Sequence, residues 1–324
     1  MKLANIYHYL KSDLKKIEDK LSVTVEADHP ILKETSLQLL RAGGKRIRPV
    51  FVLLAAHFGD YEKNKEQIMN VAVAIELIHM ATLVHDDVVD DAELRRGQPT
   101  IKHLYGNRVA MYAGDYILAR ALELITEVKE PLIHHLLSKT LVKVVEGEMT
   151  QLEDKYRLHQ HMKDYLRRIK RKTALLIATS CKLGALASGA STYEANNLYR
   201  YGLNIGMSFQ IIDDILDFTA SSKQLGKPTG SDLLQGHITL PVLYAMKDPS
   251  VERQIEVLFE KEEGRERRID DVIRALRQTD AIERSYALSN QYLQKSIAAL
   301  QNLPENKAYE TFETIAQVIG TRKS

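Results

Sequence analysis

Apolar residues recur with the period of an α-helix through almost the whole of this 324-residue chain. Only eight prolines and sixteen glycines interrupt the pattern, and no stretch alternates with the period of two that a half-buried β-strand requires. Residues 71–89 are typical of a long apolar helix. In four further segments Leu, Ile, Ala and Met dominate one side, namely residues 108–128, 132–156, 162–188 and 193–219. The pattern therefore predicts an all-α fold.

A narrower apolar stripe begins the chain. Its members are spaced alternately by four and three residues, at Leu3, Tyr7, Leu10, Leu14, Ile17 and Leu21. Such a stripe packs on another helix. Because this stripe and several wholly apolar segments need covering, we expect a homodimer or a heterodimer with a smaller subunit.

Composition restricts the class of protein. The longest uninterrupted apolar run, residues 50–56, is much shorter than the ~18 residues of a membrane-spanning helix, and no signal peptide is recognisable. Cys181 is the single cysteine, which excludes an internal disulfide and fits a reducing cytoplasm. Forty-five Lys and Arg nearly balance forty-three Asp and Glu, so charge gives no indication of a nucleic-acid partner. We expect a cytoplasmic protein without a transmembrane segment.

Two aspartate runs of the same pattern lie inside apolar helical segments, Asp86-Asp87-Val88-Val89-Asp90 and Asp213-Asp214-Ile215-Leu216-Asp217. Carboxylates in apolar surroundings are costly to keep ionised without a cation. Helix positions i and i+4 share a face, so each run offers a compact pair with a third carboxylate nearby. Magnesium binds few carboxylates and completes its shell with water and phosphate oxygens. The runs predict two magnesium sites, with Asp86, Asp87, Asp90, Asp213, Asp214 and Asp217 as ligands.

No Ser-rich or Pro-rich linker separates the two runs, so we expect a single domain over residues 1–324. A solvated helix face can carry one such run by chance. Two runs framed by Val, Ile, Leu and Phe argue against that interpretation.

Basic residues near the runs could bind a diphosphate. Gly44 permits close backbone approach at a predicted helix start, where Lys45 and Arg48 could reach phosphate oxygens. The planar guanidinium group of arginine can bind two phosphate oxygens at once, and two arginines follow the first run. Each basic residue taken alone is more simply a solvated surface charge. The remaining candidates are Arg95 and Arg96 after the first run, Lys172 with Thr173, Lys227, and His79, which shares a helix face with Asp86 and Asp90.

These elements together resemble the trans-isoprenyl diphosphate synthase family. The similarity covers the first aspartate run with its two arginines, the Gly44–Pro49 element, Lys172-Thr173, Gln210 with the second run, and Gly226-Lys227. It implies a helical bundle of the isoprenoid synthase type around a central cavity. It also implies condensation of an allylic prenyl diphosphate with isopentenyl diphosphate, dependent on Mg²⁺. The resemblance is strongest to catalytic subunits that work with a smaller second subunit and make heptaprenyl chains for quinones.

The resemblance also implies roles for single residues. The six aspartates would hold magnesium ions that bind the allylic diphosphate, assisted by Arg95, Lys172 and Lys227. Lys45, Arg48, His79 and Arg96 would hold isopentenyl diphosphate, while Thr173 and Gln210 would face the developing cation. Small side chains at Ala81 and Thr82 would leave a product tunnel open, giving a product of about six to eight prenyl units. One element departs from the family pattern, because His237 stands where a lysine is common.

Four other functions share some of these features. A terpene cyclase needs one aspartate run and no second diphosphate site, and a shorter-chain (geranylgeranyl) synthase differs only in product length. A non-catalytic subunit would be expected to lose its carboxylates, and all six stand here. A magnesium-dependent phosphohydrolase needs water beside the metal, which apolar surroundings disfavour.

Overall fold

The computed structural model describes residues 9–95, 97–221, 228–260 and 264–321. Within these ranges regular structure is helical apart from one antiparallel hairpin, β1 (Leu94–Arg95) and β2 (Gln98–Pro99). The predicted all-α class is confirmed. The helices are α1 (Lys11–Thr24), α2 (Pro30–Arg41), α3 (Ile47–Ala56), α4 (Lys65–Val89), α5 (Ile101–Thr126), α6 (Pro131–Glu153), α7 (Met162–Ile169), α8 (Leu175–Ala187), α9 (Thr192–Thr219), α10 (Ser231–Leu234), α11 (Leu240–Ala245), α12 (Pro249–Glu260), α13 (Arg265–Arg277), α14 (Ala281–Leu300) and α15 (Lys307–Gly320).

The chain forms two compact units. The first unit comprises residues 1–138, 179–199 and 302–312, and the second comprises residues 139–178, 200–301 and 313–324. The first aspartate run belongs to the first unit, and the second run belongs to the second unit. A single domain over the whole chain stays a prediction.

Helix α4 is the central helix of the first unit and packs against α3 and α5. Its side chains are buried nearly all round, because the sequence is apolar on every face rather than on one stripe. By length and composition α4 could cross a membrane, but 78% of its most apolar window is buried inside the protein. Such burial is what a core helix requires.

The N-terminal stripe is also covered within the first unit. Leu10, Ile17 and Leu21 are at most 1% exposed. Each such side chain contributes about 1.5–3 kcal/mol when fully buried. The expectation that a second subunit covers this stripe is therefore wrong for these three residues, since the chain's own helices already do so.

Two apolar clusters of the described residues contribute to the core of the second unit. One apolar cluster joins Tyr165 of α7 to Ile211 and Ile215 of α9. The charge-rich C-terminal part forms amphipathic helices, as the sequence predicts. Helix α13 buries Ile269, Val272, Ile273 and Leu276 in a separate apolar cluster that includes Phe218 of α9.

Candidate active site

The loop before α3 is held at Arg46. This residue adopts the left-handed conformation, with φ of 45°, and is 7% exposed. Its Nε and Nη2 donate to Glu18 of α1 at 2.6 and 3.1 Å, and its Nη1 donates to Glu76 of α4 at 3.0 Å. Two helices thus fix the loop that carries Lys45, which is exposed, and leads into Arg48, which is half-buried. Sequence reasoning missed both Arg46 and Glu76.

A small pocket of the first unit lies beside this loop. It brings together two predicted substrate-binding residues, His79 of α4 and Arg95 of the hairpin. The remaining lining residues are Leu39, Ala42, Gly43, Arg46, Glu76, Met80 and Leu83. Two arginines, Arg46 and Arg95, and one carboxylate, Glu76, line the pocket, and Arg46 is paired with that carboxylate. Arg96 lies outside the described residues.

The first aspartate run occupies the last turn of α4 and the residue after it. Asp86 and Asp90 are half-buried, whereas Asp87 is 4% exposed. Arg95 donates to Asp87 Oδ1 from Nε at 2.9 Å and also contacts it through Nη2 at 2.8 Å. Burial raises the pKa of Asp87 although Arg95 acts in the opposite direction. The hairpin therefore places Arg95 against the first aspartate run, where it pairs with Asp87.

The two predicted chain-length residues lie one turn before the first run on α4. Ala81 is 2% exposed, and Thr82 is half-buried. The Thr82 hydroxyl donates to the carbonyl of His79 at 2.8 Å, so it is satisfied by its own helix.

The second aspartate run lies on α9, and its three carboxylates differ in environment. Asp213 is exposed, whereas Asp214 and Asp217 are 3% and 1% exposed. Asp214 accepts from the Tyr165 hydroxyl at 2.7 Å and from Gln210 Nε2 at 2.9 Å. Burial raises the pKa of Asp214 to about 7.

Asp217 holds the start of α10. Its side-chain oxygens accept from the Ser231 hydroxyl at 3.0 Å and from the Asp232 amide at 3.2 Å. Its backbone carbonyl accepts from the Gly230 amide at 2.8 Å. The carboxylate thus acts as a cap for a neighbouring backbone segment. Lys227, which precedes that segment, lies outside the described residues.

Lys172 and Thr173 lie in a π-helical segment, Lys170–Ala174, between α7 and α8. Such bulges are frequent at functional sites. Lys172 Nζ lies 3.6 Å from Glu148 Oε2, and Thr173 Oγ1 donates to Gln210 Oε1 at 2.6 Å. Two glycines leave room for this π-helical segment. A Cβ at Gly147 would lie 2.6 Å from Arg171 Cβ, and a Cβ at Gly206 would lie 2.6 Å from Ala174 Cα.

The donor chemistry fits a divalent metal. Among the described residues no ready-made group of three His, Cys, Asp or Glu side chains could hold a metal ion. Magnesium does not require one, since it binds one or two carboxylates and completes its shell with water and phosphate oxygens. The more accessible carboxylates of the runs, Asp86, Asp90 and Asp213, offer the hard oxygen ligands that this ion prefers.

The sequence profile of the polyprenyl synthetases matches residues 29–276. The chain belongs to the polyprenyl synthetase family. The predicted family and the isoprenoid synthase type of fold are thereby confirmed, and so is a prenyltransferase that elongates polyprenyl chains. Terpene cyclase, phosphohydrolase and non-catalytic functions lose their support.

Individual polyprenyl synthetases are similar over their full length. Heptaprenyl diphosphate synthase component 2 of Bacillus subtilis is 54% identical over 323 residues, which cover 100% of this chain and 92% of that protein. The crystal structure of heptaprenyl diphosphate synthase from Staphylococcus aureus has a TM-score of 0.92 at 42% identity, covering 97% and 99% of the two chains. Polyprenyl synthase from Caulobacter crescentus, complexed with calcium and isoprenyl diphosphate, has a TM-score of 0.93 at 30% identity, covering 100% and 98%.

Proposed function

We propose that this chain is the catalytic component of a heptaprenyl diphosphate synthase. It extends an allylic prenyl diphosphate with successive isopentenyl diphosphate units, in the cytoplasm. The observation that carries the proposal is the full-length similarity to a protein named component 2 of that enzyme, at 54% identity. All six aspartates of the two runs are present as well, as a catalytic component requires.

Isopentenyl diphosphate would be held by the loop before α3 and the pocket beside it. Lys45, Arg48 and His79 are the proposed contacts, together with Arg96. The fixed backbone around Arg46 supports this assignment, because positioned cations bind a diphosphate without first losing conformational freedom. Arg95, Lys172 and Lys227 are the proposed contacts of the allylic diphosphate.

The cofactor we propose is Mg²⁺, with Asp86 and Asp90 as ligands in the first unit and Asp213 as a ligand in the second. When bound, it would neutralise charge on the departing diphosphate. Departure of diphosphate leaves an allylic cation. Thr173 and Gln210 present oxygens that can stabilise this cation, and the surrounding Ile and Leu side chains exclude the water that would trap it. The released diphosphate is a suitable acceptor for the proton that is lost after the new bond forms.

We also propose that the chain works with a smaller second subunit. An apolar stripe on α6 supports this: Val142, Val145, Met149 and Leu152 recur at helical spacing and are 50–63% exposed. A stripe of this kind fits the apolar face of a partner helix. Val145→Asp should abolish association with the smaller subunit, whereas Val23→Asp, at an equally exposed valine of α1, should not. A fully active monomer in light scattering would contradict the proposal, and self-association alone would indicate a homodimer.

The reaction class is tested by omitting each reactant in turn. The purified chain and its partner subunit should release diphosphate from an allylic primer only when isopentenyl diphosphate and Mg²⁺ are both present. Turnover of the primer alone would indicate cyclase chemistry. Full turnover in the presence of a chelator would remove the metal from the proposal.

A further inference from the structure

Tyr165 is a buried polar residue to which the proposed reaction assigns no role. It lies on α7, is 0% exposed, and is surrounded by an apolar cluster that includes Ile169, Ile211 and Ile215. Its hydroxyl donates to Asp214 Oδ2 at 2.7 Å. An apolar side chain of similar size would fill the same space, so packing does not explain the hydroxyl group.

The hydrogen bond of Tyr165 is the first of three in a row. The other oxygen of Asp214, Oδ1, accepts from Gln210 Nε2 at 2.9 Å. The Gln210 carbonyl oxygen, Oε1, accepts from the Thr173 hydroxyl at 2.6 Å. The row therefore joins α7, α9 and the π-helical segment, all within the second unit.

The chemistry of these groups fixes the direction of each bond. Both oxygens of Asp214 accept, one from Tyr165 and one from Gln210, so the Gln210 side chain turns its NH₂ group toward Asp214 and its carbonyl oxygen toward Thr173. The Thr173 hydroxyl proton then points to that carbonyl oxygen, and the lone pairs of Thr173 Oγ1 face away from it. Gln210 Oε1 and Thr173 Oγ1 are the negative ends of two side-chain dipoles, and both lie at the end of the row that is farther from Asp214. Preorganised dipoles of this kind stabilise a developing cation without reorganising during the reaction.

We propose that Tyr165 is a positioning residue: by holding Asp214, it fixes the Gln210 amide so that the Gln210 and Thr173 oxygens face the developing allylic cation. The inference rests on the proposed function, because the allylic cation that these oxygens face arises only in that reaction. It gives Asp214 a role as a hydrogen-bond acceptor for Gln210, in addition to any part in metal binding.

The first test is Tyr165→Phe in the full chain with its partner subunit. The turnover number should fall about ten- to a hundredfold, while the Michaelis constants of both diphosphates change little, because the oxygens act on the cation and not on substrate binding. Tyr201→Phe, at another fully buried tyrosine of the same unit, is the matched control and should keep its turnover number. An unchanged turnover number in a folded Tyr165→Phe protein would overturn the proposal.

A binding experiment separates charge stabilisation from packing. An alkylammonium analogue of the allylic cation, bound with inorganic diphosphate, should lose about tenfold or more in affinity in Tyr165→Phe, since transition-state analogues report interactions made with the developing charge. The uncharged prenyl alcohol of the same length should bind as it does to wild type. Equal weakening of both ligands would make Tyr165 a packing residue and overturn the proposal.

Asp214→Asn gives a second test that does not depend on the folding of Tyr165→Phe. The Tyr165 hydroxyl would still donate to the oxygen of the new amide, which turns the amide nitrogen toward Gln210 and forces the Gln210 side chain to reverse. Selectivity for the ammonium analogue over the alcohol should then fall at least as far as in Tyr165→Phe. Selectivity equal to that of wild type would overturn the proposal that the row of three hydrogen bonds positions Gln210. If wild type fails to condense the two diphosphates at all, the proposed function fails instead.

Discussion

Arg95 and Asp87 form a close ion pair at the first aspartate run, with Arg95 Nε 2.9 Å and Nη2 2.8 Å from Asp87 Oδ1. Asp87 is buried, while Asp86 and Asp90 are half-buried one turn apart. An oxygen that already accepts twice from a guanidinium is poorly placed to bind a metal ion as well. The pair therefore commits Asp87 Oδ1 to Arg95, and we expect Asp86 and Asp90 to be the main metal ligands of this run.

The first prediction follows from this expectation. Asp86→Ala or Asp90→Ala should raise the magnesium concentration for half-maximal rate more than tenfold and lower turnover by roughly 10²-fold or more. Asp87→Asn should leave the magnesium requirement near that of wild type, but raise the Michaelis constant of the allylic primer, because Arg95 loses its anchor. Initial rates measured against magnesium and primer separate these effects. Equal magnesium shifts in all three variants would contradict this expectation.

Stability in a chelator gives an independent prediction for the second run. Asp213→Ala removes a carboxylate close to Asp214 and Asp217, so like-charge repulsion decreases when no metal is bound. The midpoint of thermal unfolding in chelator should therefore hold or rise, while turnover with magnesium falls by orders of magnitude. A clear loss of stability in the chelator would mean that Asp213 is a structural residue.

The buried pair between Glu76 and Arg46 should affect isopentenyl diphosphate specifically. Glu76→Gln weakens the support of the loop that carries Lys45 and should cost about 1–3 kcal/mol of unfolding free energy. The Michaelis constant of isopentenyl diphosphate should rise several-fold, with little change in that of the primer. Glu18→Gln, at the more exposed partner of Arg46, serves as a graded control with a smaller effect. Equal increases for both substrates would contradict a role confined to the loop.

The sequence predicted the helices and the candidate residues better than it predicted their partners. Helix α9 begins one residue from its predicted start, because the apolar period is a local signal. The sequence predicts a start at residue 108 for α5, whereas the helix begins at Ile101, because Gly106, with φ of 80°, interrupts its early turns. The pairing of Tyr165 with Asp214 joins residues 49 positions apart, which no local pattern encodes. Gly147 and Gly206 admit the π-helical segment, but a glycine does not by itself predict one.

That segment supplies a further prediction. Gly206→Ala would place a Cβ 2.6 Å from the Ala174 backbone, where neither helix can yield easily. Overpacking of this kind costs about 1–3 kcal/mol. The change should also lower turnover, because Thr173 lies next to the displaced residue. Unfolding in denaturant and the turnover number are the two measurements, and a variant that matches wild type in both would show that the close approach has no consequence.

Product length should depend on Ala81, which is buried one turn before the first aspartate run. Ala81→Phe should shorten the product to about three or four prenyl units while condensation continues. Helix α4 rises about 1.5 Å per residue, so the ring would close the product tunnel that the family resemblance implies. Thr82→Val keeps the side-chain volume and should leave the length unchanged. Chromatography of the extracted prenyl alcohols measures both. A folded Ala81→Phe enzyme with full-length product would make Ala81 a packing residue.

Mass spectrometry of the prenyl diphosphates tests the central claim most directly. The chain would be incubated with a smaller partner subunit, an allylic primer, isopentenyl diphosphate and magnesium, and each component would be omitted in turn. We predict an all-trans heptaprenyl diphosphate that forms only when the chain, both diphosphates and magnesium are present, with the partner subunit required for full length. A product that stops at geranylgeranyl diphosphate, or a cyclised product formed without isopentenyl diphosphate, would contradict the account.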